Sequence, residues 1–92
     1  MEKIYEENLK KLVQNLKPFI DTLNEDEIEE ITNRTLLYGI ASNQTYCDIV
    51  NQLIKYLRLF INGLDDEEIG EYCVKSINDV TEYMNNECPM NQ

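Results

Sequence analysis

The side chains of this chain that are most capable of chemistry are carboxylates, and they are concentrated in two runs. The first run holds Glu25, Asp26, Glu27, Glu29 and Glu30, and the second holds Asp65, Asp66, Glu67, Glu68 and Glu71. Clustered carboxylates can bind a divalent cation, transfer protons or attract a basic partner. Carboxylates in the first turn of a helix also oppose the positive end of its dipole and cap free N–H groups. This structural role is sufficient to explain both runs, and a ligand role is an additional hypothesis.

The residue types that usually accompany catalytic carboxylates are missing. The chain contains no His, so it lacks the commonest general base and the commonest metal ligand. Neither a Cys–His nucleophile nor the Glu-x-x-His spacing of di-iron bundles can be formed. The acidic runs do not follow the EF-hand pattern, and the glycines are isolated rather than grouped in a phosphate-binding loop. We therefore expect no enzyme activity, no cofactor and no metal site.

The cysteines and the absence of long apolar runs bear on location. The chain has three cysteines, Cys47, Cys73 and Cys88. Their odd number and the absence of a Cys-x-x-Cys spacing favour reduced thiols. No stretch of about 18 apolar residues is present, and the first residues do not read as a signal peptide. We expect a cytoplasmic protein. The many Ile and Asn residues and the single Ala indicate an AT-rich genome, such as that of a low-GC bacterium, its phage or a protist; a phage protein would act in the host cytoplasm.

The net charge of −10 restricts the choice of partner. It opposes direct binding to nucleic acid or to an anionic membrane, because phosphate contacts need Lys and Arg. It permits a basic protein partner, or it serves only solubility. Residues 24–42 carry five acids and one base, and residues 65–92 carry eight acids and one base. If the helices in these two segments are neighbours, they form one negative face suited to a basic groove on a nucleic-acid-handling protein.

The chain repeats itself at an offset of 41 residues. Residues 16–30 and 57–71 are identical at seven of fifteen positions, without a gap. Most of the shared positions are apolar and recur at helical spacing, as core positions do. The match extends outward to Tyr5 with Tyr46 and to Leu12 with Leu53. This pattern predicts a duplicated unit of about 41 residues.

Each unit is predicted to be a helical hairpin. Apolar periodicity predicts four helices, at residues 2–22, 25–41, 44–62 and 66–86. Asn24 and Asp65 are expected N-caps, each followed three residues later by a Glu, as in a capping box. Ser42 or Asn43 is expected to cap the third helix.

Pro18 is expected to distort the first helix. Proline removes a hydrogen-bond donor and clashes with the preceding turn, so the helix should kink or break near residues 14–17. The corresponding residue of the second unit is Leu59. The third helix is therefore expected to be straighter.

The predicted fold class is all-α, a four-helix bundle made of two duplicated hairpins related by a pseudo-two-fold axis. The first hairpin covers residues 2–42 and the second residues 43–86, in a single domain with a frayed tail at 87–92. A unit of this length is similar to an armadillo or HEAT repeat. The sequence therefore leaves both a closed bundle and a short solenoid open.

Three apolar residues fall outside the predicted core stripes, namely Leu37, Leu59 and Val74. Isolated surface apolar residues need no explanation, but a cluster would mark a dimer interface or a partner site, which Ile54 and Tyr56 could widen. Together with the acids, they give the candidate partner-binding residues Glu25, Asp26, Glu29, Glu30, Asp66, Glu67, Glu68, Glu71, Leu37, Leu59 and Val74.

The function expected from this profile is non-catalytic protein binding, in which the protein inhibits a partner by masking it. Antitoxins, immunity proteins and phage anti-defence proteins, including anti-CRISPR proteins, share small size, acidity and missing catalytic groups. One alternative is a structural or assembly protein that self-associates, for example as a homodimer, through its outer apolar residues. Another is a transcriptional regulator, although acidic second helices do not suit DNA reading.

Overall fold

The computed structural model describes the backbone of residues 2–87 and the side chains of residues 3–84. This part of the chain is all helical, with four α-helices and one isolated antiparallel bridge. The helices are α1 (Glu2–Leu16), α2 (Glu25–Ala41), α3 (Tyr46–Leu57) and α4 (Asp66–Glu87), with 3₁₀ turns at Lys17–Phe19 and Arg58–Phe60. The tail expected at residues 87–92 starts with Glu87, which is the last residue of α4. Residues 88–92, which include Cys88, lie outside the described residues.

The expected caps of the second and fourth helices are confirmed. The Asn24 side chain accepts a hydrogen bond from the Glu27 N–H at 2.8 Å, and Glu27 Oε1 accepts one from the Asn24 N–H at 3.0 Å. Asp65 and Glu68 repeat this arrangement, at 2.8 and 3.1 Å. Each reciprocal pair satisfies two N–H groups that would otherwise lack partners at the helix start.

The expected cap of α3 is wrong, because Ser42 and Asn43 serve the end of α2 instead. Asn43 has a positive φ of 57°, and its N–H donates to the Ile40 carbonyl at 3.1 Å. The next N–H, of Gln44, donates to the Gly39 carbonyl at 2.8 Å, which completes a Schellman motif. α3 is capped by Thr45, whose hydroxyl accepts from the Asp48 N–H at 3.2 Å.

The first and third helices are shorter than predicted, and they end in the same way. α1 ends at Leu16 and α3 at Leu57, and each continues into a 3₁₀ turn instead of reaching residue 22 or 62. The break near Pro18 is confirmed, but the expectation of a straighter third helix is wrong, since Leu59 occupies an equivalent 3₁₀ turn. Proline is therefore not the common cause of the two breaks.

The common cause is a backbone pairing between the two turns. Ile20 and Ile61 form an antiparallel bridge, in which the Asp21 N–H donates to the Phe60 carbonyl at 2.8 Å and the Asn62 N–H to the Phe19 carbonyl at 2.7 Å. Both segments must leave the helical conformation to pair in this way. A continuing helix would use the same N–H and carbonyl groups for its own hydrogen bonds.

The core is centred on α1 and α3. Near their N-termini the rings of Tyr5 and Tyr46 lie 5.1 Å apart, and beyond their C-termini Ile20 and Ile61 are paired. The two helices therefore run in the same direction along the middle of the molecule. The largest fully buried side chains of the described residues all belong to them: Leu9, Leu12, Leu16, Ile49, Val50, Leu53 and Leu57.

The remaining helices flank this central pair. α2 and α4 each pack against both α1 and α3, and the first helix makes its most extensive packing with the last. Within residues 2–87, α2 and α4 do not form a packed pair with each other, so they lie on opposite sides of the centre. No helix in this range has the length and apolar character needed to cross a membrane.

Candidate protein-binding surface

One end of the molecule collects most of its negative charge. The bridge between Ile20 and Ile61 brings together the two turns from which α2 and α4 start. Residues 17–27 and 58–68, which we call the acidic end, contain eight carboxylates and two bases, a net charge of −6. Both acidic runs therefore begin at this end of the molecule, on two helices that do not pack against each other within residues 2–87.

Part of this charge has a structural role within the acidic end. Lys17 forms an exposed ion pair with Glu25, and Arg58 forms one with Asp66. The hydrogen bond and the positive charge of the Lys17 ammonium lower the pKa of the Glu25 carboxyl. Asp21 accepts a hydrogen bond from the Asn62 amide at 2.9 Å. The bond between Asp21 and Asn62 joins the two turns, and each ion pair connects a turn to the helix that follows it.

Two carboxylates of the acidic end make no hydrogen bond or ion pair with another described side chain. Glu27 and Glu68 are used in capping, but neither Asp26 nor Glu67 has a hydrogen bond or ion pair with another described side chain. Both are exposed first-turn residues. Their interaction with the helix dipole is worth about 0.3–1 kcal/mol each at low salt. They are the carboxylates most available to a partner.

The single negative face expected from adjacent second helices is not formed, because α2 and α4 lie on opposite sides of α1 and α3. The predicted residues instead line two separate shallow grooves. Asp26, Glu29, Glu30 and Leu37 line one on the outer side of α2. Glu67, Glu71 and Val74 line the other, on α4.

The three apolar residues predicted to lie off the core are exposed, as expected: Leu37, Leu59 and Val74. They do not share one patch. Leu37 lies in the last third of α2, Val74 in the middle of α4 on the opposite side, and Leu59 in the 3₁₀ turn at the acidic end. The hypothesis that they cluster into one interface is therefore not supported by their positions.

A more continuous apolar surface lies in the cleft between α2 and α3. This aromatic cleft, as we call it, encloses about 360 Å³ and is lined by Ile31, Arg34, Thr35, Tyr38, Gln52 and Tyr56. Tyr38 is 65% exposed and Tyr56 is 53% exposed, so both rings can be reached from solvent. The Arg34 guanidinium at its edge is paired with Glu30 at 2.7 Å. Exposed Tyr and Arg side chains are enriched at protein interfaces.

The corresponding cleft between α1 and α4, which we call the polar cleft, has a different character. It encloses only about 60 Å³ and is lined by Asn8, Lys11, Leu12, Asn15, Tyr72, Lys75, Ser76 and Asp79. Four of these residues lie 41 positions from residues that line the aromatic cleft. The pairs are Lys11 with Gln52, Asn15 with Tyr56, Lys75 with Arg34, and Asp79 with Tyr38. Where the aromatic cleft presents tyrosines, the polar cleft presents an amide and a carboxylate.

A buried hydrogen-bond network closes the polar cleft from inside. The Asn8 amide nitrogen lies within hydrogen-bond distance of the Ser76 carbonyl at 2.6 Å, the Ser76 hydroxyl at 2.7 Å and the Tyr46 hydroxyl at 3.2 Å, and its two hydrogens are shared among these three oxygens. The Tyr46 and Ser76 hydroxyls are also bonded to each other, at 2.6 Å. Burial raises the pKa of the Tyr46 phenol. All three side chains are buried, and they tie α1, α3 and α4 together.

Sequence reasoning missed Tyr38 and treated Tyr56 only as the flank of a patch. The available signal was that Leu37 and Tyr38 are adjacent on a helix that also buries Leu36 and Gly39. Neighbouring helical residues point about 100° apart, so Leu37 and Tyr38 had to lie outside the stripe that contains their buried neighbours. What the sequence did not indicate is that α3 brings Tyr56 into the same cleft as Tyr38.

Cys73 is not suited to act as a nucleophile. Burial raises the pKa of the Cys73 thiol to about 11, so this thiol stays protonated at neutral pH and is a poor nucleophile. Cys47 is exposed. Among the described residues, no group of three or more carboxylate and thiol side chains is arranged to hold a metal ion.

No protein-family model matches the chain, and comparisons with curated proteins and with solved structures gave no significant match. The function must therefore be inferred from the surfaces themselves.

Proposed function

We propose that the protein is a non-catalytic binding protein that inhibits a basic protein partner by masking it, as antitoxins, immunity proteins and phage anti-defence proteins such as anti-CRISPR proteins do. The observation that carries this proposal is the acidic end, with its net charge of −6. Like-charged groups gathered on one surface create a potential that attracts an oppositely charged partner and speeds its association. Capping and ion pairing account for only part of this charge, since Asp26 and Glu67 project without such contacts among the described residues.

We further propose that the fold is a duplicated helical hairpin whose halves are related by a pseudo-two-fold axis, about 41 residues apart. In support, the axis would pass between Tyr5 and Tyr46 at one end and between Ile20 and Ile61 at the other, both pairs being 41 residues apart and in contact. The capping boxes, the 3₁₀ turns and the ion pairs of the acidic end are also separated by 41 residues. A duplication of this kind explains why both acidic runs lie at the same end.

The packing of α1 against α4 favours a closed four-helix bundle over a short solenoid. In a solenoid each unit contacts only its neighbours along the chain. Here each of the outer helices packs against both central helices. A closed bundle leaves only its ends and its inter-helix clefts as binding surfaces.

Self-association is the alternative that a specific observation supports, because Leu59 is 89% exposed at the acidic end. Two copies that met there would bring two sets of eight carboxylates together, and this repulsion opposes the contact. Sedimentation velocity at high and low salt separates the two functions. A dimer that strengthens as salt rises would favour self-association, whereas a monomer at all salt concentrations favours a different, basic partner.

The main experiment is capture of the partner from nuclease-treated lysate of the native host, followed by titration calorimetry with the purified partner. The test variant is Asp26→Asn with Glu67→Gln, which removes two exposed carboxylates that lack contacts to described side chains. The matched control is Glu7→Gln with Glu82→Gln, which removes the same charge elsewhere on the surface.

We expect the test variant to bind the partner roughly 2- to 10-fold more weakly than the control variant at low salt, as for exposed charge pairs. The difference should fade at about 0.5 M salt because the charges are then screened. Equal affinities of the two variants, or a partner whose binding does not depend on salt, would contradict the acidic end as the binding surface.

A further inference from the structure

We propose that the aromatic cleft is the docking site for a basic amphipathic helix of the partner, with one such helix bound per molecule. This inference rests on the proposed function and deepens it. It assigns the partner's apolar side chains to Tyr38 and Tyr56, and the partner's Lys and Arg side chains to the acids of α2.

The shape of the cleft favours a helix as the occupant. Its walls are α2 and α3, which pack against each other, and a groove between two packed helices accepts the side-chain ridge of a third. Along α2 the lining residues extend from Ile31 to Tyr38, which is about 10 Å at the rise of an α-helix. That length accommodates two turns of a docked helix, with apolar anchors at positions i and i+3 or i+4.

The charge around the cleft favours a basic occupant. Arg34, the cationic residue that lines it, is paired with Glu30, and Arg34 also lines the adjoining groove with Asp26 and Glu29. The two surfaces therefore adjoin at Arg34, and the acids of α2 that line them are Asp26, Glu29 and Glu30. A helix with Lys and Arg along one side of an apolar stripe complements this arrangement. A second copy of this chain does not, because it would place one acidic α2 against another.

The polar cleft shows that the fold does not require an open aromatic cleft. At positions equivalent to Tyr38 and Tyr56 it carries Asp79 and Asn15, and it encloses one sixth of the volume. Two large rings that are more than half exposed are not explained by core packing. Because the polar cleft lacks both the volume and the exposed rings, we expect it to bind no second helix.

The test uses a fluorescein-labelled 14-residue peptide of Leu and Lys, with Leu at helical spacing i, i+3, i+4 and i+7, and measures fluorescence anisotropy. The variant Tyr38→Asp with Tyr56→Asn installs the residues of the polar cleft in the aromatic cleft. The control Tyr83→Asn removes an exposed tyrosine ring that lies on α4, outside the cleft and the acidic end. All three positions are exposed, and thermal melts of each variant check that the fold is retained.

We expect 1:1 binding that weakens at least about tenfold in the cleft variant, as for the loss of interface anchors, and changes by less than about twofold in the control. Tyr38→Asp adds a negative charge, which would strengthen a purely electrostatic complex, so a loss of affinity must come from lost contacts. In ¹⁵N-labelled protein, the peptide should shift the amide resonances of residues 31–38 and 52–56.

Three outcomes would overturn the inference. If the cleft variant binds the peptide as tightly as the unmodified chain while salt still abolishes binding, the acidic end acts alone, and the proposed function stands without the cleft. If the peptide does not bind at low salt, the docking proposal fails, whereas the proposed function is decided by capture of the natural partner. If the unmodified chain dimerises and the cleft variant does not, the occupant is a second copy.

Discussion

In the proposed duplication, the aromatic cleft and the polar cleft occupy corresponding places in the two halves of the molecule, yet they present opposite surfaces. Each lies between a central helix and an outer helix, and their lining residues are 41 positions apart. The aromatic cleft is open, with Tyr38 and Tyr56 exposed. The polar cleft is nearly filled and is sealed by the network of Asn8, Tyr46 and Ser76. The two clefts thus differ in the surface that they present, which is where binding is expected to reside.

The difference begins inside the core. Asn8 is buried in α1 at the position that Ile49 occupies in α3. On the aromatic side, Ile49 is apolar, and the Thr35 hydroxyl, which corresponds to the Ser76 hydroxyl, donates to the Ile31 carbonyl of its own helix at 2.8 Å. The Thr35 hydroxyl therefore has its partner within its own helix. The polar side instead satisfies its buried groups across three helices, which ties that cleft shut.

The two sides also differ in how closely their backbones approach. A Cβ atom added at Gly39 would lie 2.4 Å from Ile49 Cγ1, well inside van der Waals contact. α2 therefore sits directly on the Ile49 side chain. At the corresponding positions the other half has Val80 in place of Gly39 and Asn8 in place of Ile49. On the aromatic side the larger side chain of the pair is Ile49, on central helix α3. On the polar side it is Val80, on outer helix α4, so the total volume of each pair stays similar although the residues differ.

The largest expected effects concern the shared core and test whether the halves are equivalent. Leu16 and Leu57 are both fully buried and lie 41 positions apart. Leu16→Ala and Leu57→Ala should each lower the free energy of unfolding by about 2–5 kcal/mol, because each leaves a cavity in the core. Urea denaturation measures both values. The two losses should agree within about 1 kcal/mol, and a gap of more than about 2 kcal/mol would contradict the equivalence of the halves.

The next effect tests the close approach that is particular to the aromatic side. Gly39→Ala should lower the free energy of unfolding by about 1–3 kcal/mol, because its methyl group collides with Ile49. Gly70→Ala is the matched control: Gly70 is also inside a helix, but a Cβ there meets no atom within 4 Å. The control should be neutral or stabilising by up to about 1 kcal/mol, as expected from helix propensity. In thermal denaturation, a Gly39→Ala variant that is clearly less stable than Gly70→Ala supports the close contact between Gly39 and Ile49. Equal stabilities of the two variants contradict it.

A smaller effect tests the network that seals the polar side. Tyr46→Phe removes a hydroxyl bonded to Asn8 and Ser76 and should lower the free energy of unfolding by about 0.5–1.5 kcal/mol. The control is Tyr5→Phe, 41 positions earlier, which should change the free energy of unfolding by less than about 0.5 kcal/mol. A larger loss from Tyr5→Phe than from Tyr46→Phe would contradict the assignment of the network to one side only.

The same pair of variants predicts a pH dependence. Burial raises the pKa of Tyr46 above the value of 10.0 that applies in the unfolded chain. The protonated phenol therefore contributes its full stability below pH 10, and this contribution is lost as the pH rises through the higher folded value. The stability difference between the unmodified chain and Tyr46→Phe should narrow above pH 10, as measured by urea denaturation at pH 8 to 11.

The sequence was sufficient for features set by neighbouring residues and insufficient for features set by packing. The bounds of α2 and the caps at Asn24 and Asp65 were predicted correctly, because capping signals and helical periodicity lie within a few residues. The ends of α1 and α3 were predicted too late, since the bridge that stops them joins residues 41 positions apart. The expected single acidic face failed for the same reason: whether α2 touches α4 is decided by the whole core.

The smallest effect concerns the turns that the halves share. Thr22 has a φ of 68° and Gly63, its counterpart, a φ of 90°. A β-branched residue is disfavoured in this left-handed region, whereas glycine adopts it freely. Thr22→Gly should raise the free energy of unfolding by up to about 1 kcal/mol, since relief of strain exceeds the added entropy of the unfolded chain. If thermal denaturation shows Thr22→Gly to be destabilising, the Thr22 side chain stabilises the first turn in a way that Gly63 cannot, and the two turns are alike in backbone only.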